Sequence, residues 1–147
     1  MGSTFLSLHY HIVFTAKERR PFIQPAWRSQ LHEYLGGTVR GLGGIPEIIG
    51  GVEDHVHLLV GLRATHGLAN FMRELKKASS VWATEKHEPM FSWQEGYSAF
   101  TVSATHIEAV RQYIATQEQH HHKQDFVGEL KTLLDKNGVK YDPQYLL

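Results

Sequence analysis

Cysteine is absent from the 147-residue chain. The sequence therefore offers no disulfide, no thiolate ligand for zinc and no cysteine nucleophile, a composition that suits a reducing cytoplasm. It also lacks an apolar run of 18 residues and an apolar signal region near its start, so we expect neither a membrane span nor secretion. A surplus of basic charge is missing too, because 15 basic residues balance 15 acidic ones. Many nucleic-acid-binding proteins are basic, so the total charge counts mildly against that class.

The residues that are present predict one folded domain. Hydrophobic residues make up 41% of the chain and aromatic residues 11%, enough to build a buried core. We predict a single domain over residues 1–147, with a core of about 5–122 and a helical tail of about 123–147. Histidine is unusually frequent, at 11 residues. Histidine can bind metals, carry protons or serve as a partly buried polar group, and its number alone does not choose among these roles.

Hydrophobic periodicity predicts four strands and four helices. The predicted strands cover residues 5–15, 45–52, 55–62 and 97–102, and the predicted helices cover 25–41, 68–84, 106–121 and 126–136. Pro25 suits the first turn of a helix, and Asn137-Gly138 suits a helix end. The order of strand, helix, strand, strand, helix, strand is that of the split βαβ, or ferredoxin-like, α+β fold. We therefore expect a four-stranded antiparallel sheet with helices on one face, followed by C-terminal helices.

The segment His55-Val56-His57 is the first candidate site. Residues two apart on a strand point to the same face, about 7 Å apart by rise, so both imidazoles share one face while Val56 anchors the other. Two ligands on a rigid strand form half of a site for a divalent cation. The alternative is a pair of partly exposed histidines without a ligand.

A second pair, His9-Tyr10-His11, lies on the first predicted strand. The first and third strands are neighbours in this fold, so the two pairs can lie close together. The earlier pair then supports the metal ligands, contacts DNA or is structural, and spacing does not separate these roles.

The third predicted helix carries Tyr113 and Gln117 four residues apart. Gln117 occupies a core-facing position where an aliphatic residue is expected, and His121 continues the same stripe. A glutamine amide oxygen can be a third metal ligand, and one turn of helix would place the Tyr113 phenol beside it. Taken alone, the two residues also fit a packed aromatic and a surface amide.

The chain resembles the single-tyrosine transposases of the HUH superfamily, which include insertion-sequence and repeat-associated enzymes. The resemblance is carried by His55-Val56-His57 and by the Tyr-x-x-x-Gln pair at 113 and 117. Four flanking segments add to it: 10–14 with its following basic loop, 91–97 with its aromatic residues and glycine, the run 119–123, and the closing stretch 137–142.

The resemblance implies a reaction and its residues. Tyr113 would attack a phosphodiester, form a 5′-phosphotyrosine and release a 3′-hydroxyl, and a 3′-hydroxyl of another strand would reverse the step. His55, His57 and Gln117 would hold a divalent cation, Mg or Mn in use, although Zn, Ni or Co would also bind such a ligand set. The resemblance further implies a single-stranded DNA partner with hairpin ends and a homodimer, while some relatives act as monomers.

Two basic clusters are candidates for contacting DNA phosphates. The residues are Lys17, Arg19 and Arg20 in the first loop, and Arg73, Lys76 and Lys77 on the second helix. Exposed helices also carry lysines without any ligand, so these assignments rest on clustering alone.

Two other functions remain open from the sequence. A non-enzymatic module that binds single-stranded DNA or RNA can share this fold, although no RNP1 pattern is present. A metal hydrolase that uses water would need the metal ligands and leave Tyr113 structural. Only the transposase would form a covalent protein–DNA adduct.

Overall fold

A computed structural model describes residues 2–121 and 123–146. Its elements in chain order are β1 His9–Thr15, α1 Pro25–Gly41, β2 Ile45–Gly51, β3 His55–Gly61, α2 Leu68–Lys86, β4 Ser98–Thr101, α3 Ile107–Ala115, α4 Gln117–His121 and α5 Phe126–Lys136. Over the same residues, no helix is both long and apolar enough to cross a bilayer. His122, in the predicted histidine run, lies outside the described residues.

The four strands form one antiparallel sheet in the order β2-β3-β1-β4. This order confirms the ferredoxin-like α+β fold and the predicted pairing of the first and third strands. One face of the sheet, with Val56 and Leu58, packs against α1 and α2. The other face packs against the C-terminal helices, with Leu59 against α3 and Val13 against α5. The site described below lies on this second face.

The first strand begins at His9 rather than at Phe5, so its predicted start is wrong. Its partner β3 ends at Gly61, which pairs with His9, and the pairing of the two segments ends one bond later, where the Leu62 amide donates to the Leu8 carbonyl at 2.9 Å. Phe5 is accordingly 90% exposed, and Leu6 is 53% exposed.

The helix predicted over 106–121 is two helices, because the chain turns at Thr116. Thr116 has φ −109° and ψ 28°, and its hydroxyl donates to the carbonyl of Gln112, 2.9 Å away. Tyr113 and Gln117 therefore belong to different helices, α3 and α4.

The last helix has the predicted bounds. The Asp125 side chain caps it by accepting from the Gly128 amide at 2.8 Å. Gly138 has φ +67° just after the helix end, a conformation that glycine adopts without strain. The division into a core and a tail stays a prediction, although Leu130 and Leu134 of α5 pack in the same cluster as Val13.

Gly50 lets α3 approach the sheet closely. A Cβ atom at this position would lie 2.5 Å from the carbonyl oxygen of Ile114. We expect Gly50→Ala to lower the free energy of unfolding by about 1–3 kcal/mol, because backbone must move to admit the methyl group. Gly37→Ala is the matched control, since a Cβ there meets open space on a helix, where alanine is favoured over glycine by about 1 kcal/mol. Urea unfolding measures both, and equal stabilities for the two variants would contradict the close approach.

Candidate active site

The two histidines of β3 are completely buried, so the alternative of partly exposed strand histidines is wrong. His55 and His57 are each 0% exposed, beneath the C-terminal helices. Burying two imidazoles costs free energy unless their nitrogens are hydrogen-bonded. Both nitrogens of each imidazole have a hydrogen-bond partner.

The Nδ1 atoms of the pair face away from the centre of the site. His55 Nδ1 lies 2.7 Å from Asp54 Oδ1, and His57 Nδ1 lies 2.8 Å from His11 Nε2. Such partners fix the orientation and tautomer of a histidine and leave Nε2 to face a ligand. His11 therefore supports His57. His9, by contrast, lies beside Gly61, away from the pair.

The Nε2 atoms of three histidines converge on a carboxylate that was not predicted from the sequence, that of Glu129. Glu129 Oε1 lies 3.3 Å from His55 Nε2, 3.2 Å from His57 Nε2 and 3.1 Å from His121 Nε2. Glu129 is only 2% exposed. Three imidazoles from β3 and α4 thus meet one carboxylate from α5.

The second oxygen of Glu129 faces the tyrosine and the glutamine. Gln117 Nε2 donates to Oε2 at 3.0 Å, and the Tyr113 hydroxyl donates to the same oxygen. Gln117 Oε1 in turn lies 3.3 Å from His55 Nε2. The Tyr113 ring is centred 5.7 Å from the His57 ring. The four residues singled out in the sequence therefore meet within one subunit.

The buried charges set the protonation of the cluster. Burial lowers the pKa of His55, but hydrogen bonds to Asp54 and Glu129 outweigh it and raise the pKa to about 9. Burial lowers the pKa of His57 to about 4, against the pull of Glu129. Burial and the charge of His57 lower the pKa of His11 to about 3. His57 and His11 are thus neutral at physiological pH, whereas His55 is protonated.

The acidic and phenolic groups shift in opposite directions. Burial opposes ionisation of Glu129, but hydrogen bonds from His121, His55 and His57 bring the pKa of its carboxyl well below the usual range. Burial and the Glu129 carboxylate both raise the pKa of the Tyr113 hydroxyl. Tyr113 is therefore neutral, and its attack on phosphorus would require a group that accepts its proton.

The cluster can hold a divalent cation. Ligand atoms of His55, His121 and Glu129 all lie within 4.8 Å of one another. The Gln117 amide oxygen adds a further donor beside His55. His55, whose pKa is about 9, would have to lose its proton to bind a metal. Neutral imidazoles with carboxylate and amide oxygens suit Mn, Zn, Co or Ni, and the oxygens suit Mg. Of the ligands predicted from the sequence, His55 belongs to this group and Gln117 lies beside it, whereas His57 lies outside the group, with its Nε2 3.2 Å from Glu129 Oε1. His121 and Glu129 are additional to the predicted ligands.

A sequence signal for Glu129 does exist. Phe126, Leu130 and Leu134 form the buried stripe of α5, and Glu129 lies within that stripe. A carboxylate in an apolar stripe is almost never buried without a partner. Its partners could not be read from the sequence, because they lie on β3, α3 and α4.

The first basic cluster flanks the sheet rather than the site. Lys17 and Arg19 lie in a short 3-10 turn, in which Glu18 and Arg19 have positive φ angles of 58° and 54°. Arg20 pairs with Glu18 at 3.1 Å, with both side chains more than half exposed. The structure brings none of these three basic residues into contact with the histidine cluster, and their role in DNA binding stays a prediction.

The second basic cluster lies on α2, which packs on the sheet face opposite the histidines. Lys76 Nζ donates to the carbonyls of Gln94 and Gly96 at 2.6 and 2.8 Å, and burial lowers the pKa of Lys76. Lys76 therefore holds a loop in place, while Lys77 is exposed. Arg73 pairs with Glu74 at 3.8 Å.

Comparison with known proteins agrees with this architecture. A Deinococcus radiodurans R1 protein assigned as a transposase matches at 24% identity, with a TM-score of 0.65, over 80% of this chain and 96% of its own. The REP-associated tyrosine transposase bound to a REP hairpin matches at 14% identity, with a TM-score of 0.61, over 82% of this chain and 73% of its own. At these identities the likeness shows the fold. No curated protein sequence matches significantly.

The family itself is shown by a sequence model. The model described as "Transposase IS200 like" matches residues 4–117, well over half of the chain. The matched region includes both β3 histidines, Tyr113 and Gln117, and it ends before Glu129. The chain belongs to the IS200-like transposase family.

Proposed function

We propose that this transposase cleaves and rejoins single-stranded DNA through a 5′-phosphotyrosine on Tyr113. One observation carries the proposal: the Tyr113 hydroxyl, the β3 histidines and the Gln117 amide meet at one buried carboxylate. A tyrosine that merely packs would not need its hydroxyl in a cluster of three histidines. The four residues lie together in one chain, which supports attack by Tyr113 beside the histidines of its own subunit.

In the proposed step the Tyr113 oxygen attacks phosphorus. The bond between this oxygen and phosphorus forms, and the bond from phosphorus to the 3′ oxygen breaks. The tyrosine proton leaves along its hydrogen bond to Glu129, and Glu129 passes it to the released 3′ oxygen, which becomes a hydroxyl. Because the pKa of the Glu129 carboxyl lies well below its usual range, the carboxyl relays this proton and does not retain it. Rejoining is the reverse, with a 3′-hydroxyl of another strand displacing Tyr113.

The residues that would hold a divalent cation are His55, His57 and Gln117, as the motif predicts, together with His121 and Glu129. Mg or Mn is the proposed ion. When bound, a cation of this kind stabilises negative charge on a nonbridging phosphate oxygen. Asp54 and His11 orient the two β3 imidazoles for this role.

The proposed partner is single-stranded DNA with hairpin ends, processed in the cytoplasm by a homodimer. The similar REP-associated transposase is bound to a REP hairpin, which supports a hairpin substrate. Unpaired bases beside a hairpin can be read at their edges or stacked.

An oligonucleotide assay with two labels tests the proposal. A hairpin with unpaired flanks of randomised sequence is incubated with the protein and Mn, with and without chelator. We expect the 3′-labelled fragment to migrate with the protein and the 5′-labelled fragment to be released with a 3′-hydroxyl, in both cases only without chelator. A water-using hydrolase would release both fragments, and a binding module would release neither.

Glu129→Gln tests the proposed proton acceptor. Glutamine keeps an oxygen ligand but accepts a proton poorly, so we expect adduct formation to slow by about 10²–10⁴-fold. Glu85→Gln, at an exposed position on α2, serves as the control and should react at the wild-type rate. A wild-type rate in Glu129→Gln would exclude Glu129 as the base. Single-turnover adduct formation is the measurement.

His11→Phe tests the support of His57. Phenylalanine leaves His57 Nδ1 without its partner, and we expect Mn affinity to fall by about 10–100-fold, as for other residues that orient metal ligands. His9→Phe removes the other histidine of the same motif and should leave Mn affinity unchanged. Mn binding is followed by electron paramagnetic resonance of the free ion, and equal affinities in the two variants would contradict the support.

A further inference from the structure

A cavity of about 780 Å³ opens beside Tyr113, and we call it the α3–α5 groove. It lies between α3, the edge strand β4 and the C-terminal end of α5. Tyr113 and His11 line its inner end, with their ring centres 6.0 Å apart. Any strand that presents a phosphodiester to Tyr113 must continue into the space around this residue. The groove is therefore adjacent to the proposed reaction centre.

The walls of the groove have two kinds of surface. Phe100, Val102 and Val110 form an apolar floor, and Phe100 also contacts the His11 ring edge-on at 6.1 Å. The rim is polar, with Ser103, His106, Lys136 and Asn137. A largely apolar pocket with a few polar groups at its edge is typical of a site for a molecule with an apolar body and a polar end. A nucleotide has these properties, with a flat base and a charged phosphate.

The charge of the groove favours the same ligand. None of the described residues that line it is acidic, and Lys136 supplies a cation. Two neighbouring cavities differ in this respect. The cavity beside Gln117 is lined by Arg28 and Glu118, which pair with each other at 3.3 Å, and the cavity beside Phe126 is lined in part by Glu95 and, among the described residues, by no lysine or arginine. The α3–α5 groove is thus the better match for a phosphate.

We propose that the α3–α5 groove seats an unpaired nucleotide of the DNA strand next to the scissile phosphate. The base packs on the Phe100, Val102 and Val110 floor, and its phosphate faces Lys136. The inference rests on the proposed function, and it adds a binding surface outside the two basic clusters.

Filling the groove tests the proposal. Ala109 is exposed and lines the groove, so Ala109→Trp places an indole where the base would lie. Ala26→Trp is the control, at an exposed position on α1 on the opposite side of the sheet. Both variants are compared with wild type for equilibrium binding of the fluorescein-labelled hairpin with randomised unpaired flanks, by fluorescence anisotropy in the presence of chelator. We expect at least a tenfold loss of affinity in Ala109→Trp and less than a twofold change in Ala26→Trp.

A second variant removes the cation without adding bulk. Lys136→Gln should reduce the slope of log affinity against log salt by about 0.7, the value for one phosphate contact on a single strand. Lys86→Gln, exposed on α2, should leave the slope unchanged. Because Lys136 is exposed, we expect Lys136→Gln to fold, so this variant tests the groove even if Ala109→Trp does not fold.

Three results would overturn the proposal. The first is wild-type affinity in Ala109→Trp, and the second is an unchanged salt slope in Lys136→Gln. The third is a wild-type dimer that Ala109→Trp converts to a monomer in light scattering, because the groove would then be a contact between subunits. Because binding is measured without cleavage, the two proposals fail separately. If no tyrosine adduct forms in the cleavage assay, the proposed reaction is wrong, but the binding result for the groove is still valid. If the adduct forms but DNA binding is unaffected in Ala109→Trp and Lys136→Gln, only the groove proposal is wrong.

Discussion

Tyr113→Phe should abolish the covalent protein–DNA adduct, with a loss of at least about 10³-fold. The substitution removes one oxygen, the atom that would attack phosphorus. It leaves Glu129 with its donors from His121 and Gln117, so the cluster keeps its hydrogen bonds and the fold should persist. Adduct formation on the labelled hairpin, followed on denaturing gels, is the measurement.

Two further observations make the Tyr113→Phe result specific. Tyr34→Phe is the control, because Tyr34 is a half-buried tyrosine of α1 that stacks on Trp82 at 4.9 Å, away from the site. It should form adduct at the wild-type rate. Tyr113→Phe should also bind DNA and Mn with wild-type affinity. Residual adduct in Tyr113→Phe would show that another residue is the nucleophile.

His57→Gln should remove both metal binding and adduct formation. His57 Nε2 lies 3.2 Å from Glu129 and its Nδ1 is held by His11, so glutamine of similar size fills the space without an imidazole in that position. A ligand that binds only the folded state at 100 times its dissociation constant stabilises the protein by about 2.7 kcal/mol. We therefore expect Mn to raise the unfolding temperature of wild type, with reversal by chelator, and to leave that of His57→Gln unchanged.

His66→Gln is the matched control for this experiment. His66 makes a partly buried hydrogen bond, to the Leu42 carbonyl at 2.7 Å, but it follows the end of β3 opposite to His55. Its loss should lower stability in the absence of metal and leave the stabilisation by Mn intact. Stabilisation of His57→Gln by Mn equal to that of wild type would exclude His57 as a ligand.

The local parts of the site could be predicted from the sequence because they follow from periodicity. The two-residue period of a strand places His55 and His57 on one face, and the structure has them there. The apolar stripe of α5 and the Asn137-Gly138 end gave its bounds. Each of these inferences uses residues close together in the chain.

The features that could not be predicted from the sequence depend on contacts between distant segments of the chain. Glu129 lies in a visible stripe, but its role depends on imidazoles from β3 and α4 that come together only in the folded chain. The break at Thr116 brings Gln117 of α4 to the Glu129 carboxylate, a contact between segments that periodicity does not reveal. The start of β1 depends on where β3 ends. Tertiary structure decides all three.

Mass spectrometry of the protein–DNA adduct identifies the residue that attacks phosphorus. The protein is reacted with the hairpin oligonucleotide and Mn, and the DNA is digested to a short stub. Trypsin cleaves after Arg111 and Lys123 and yields a peptide of residues 112–123, in which Tyr113 is the sole tyrosine. We expect this peptide with a nucleotide joined to Tyr113 through its 5′ phosphate. A nucleotide on any other residue, or cleaved DNA without a modified peptide, would contradict this expectation.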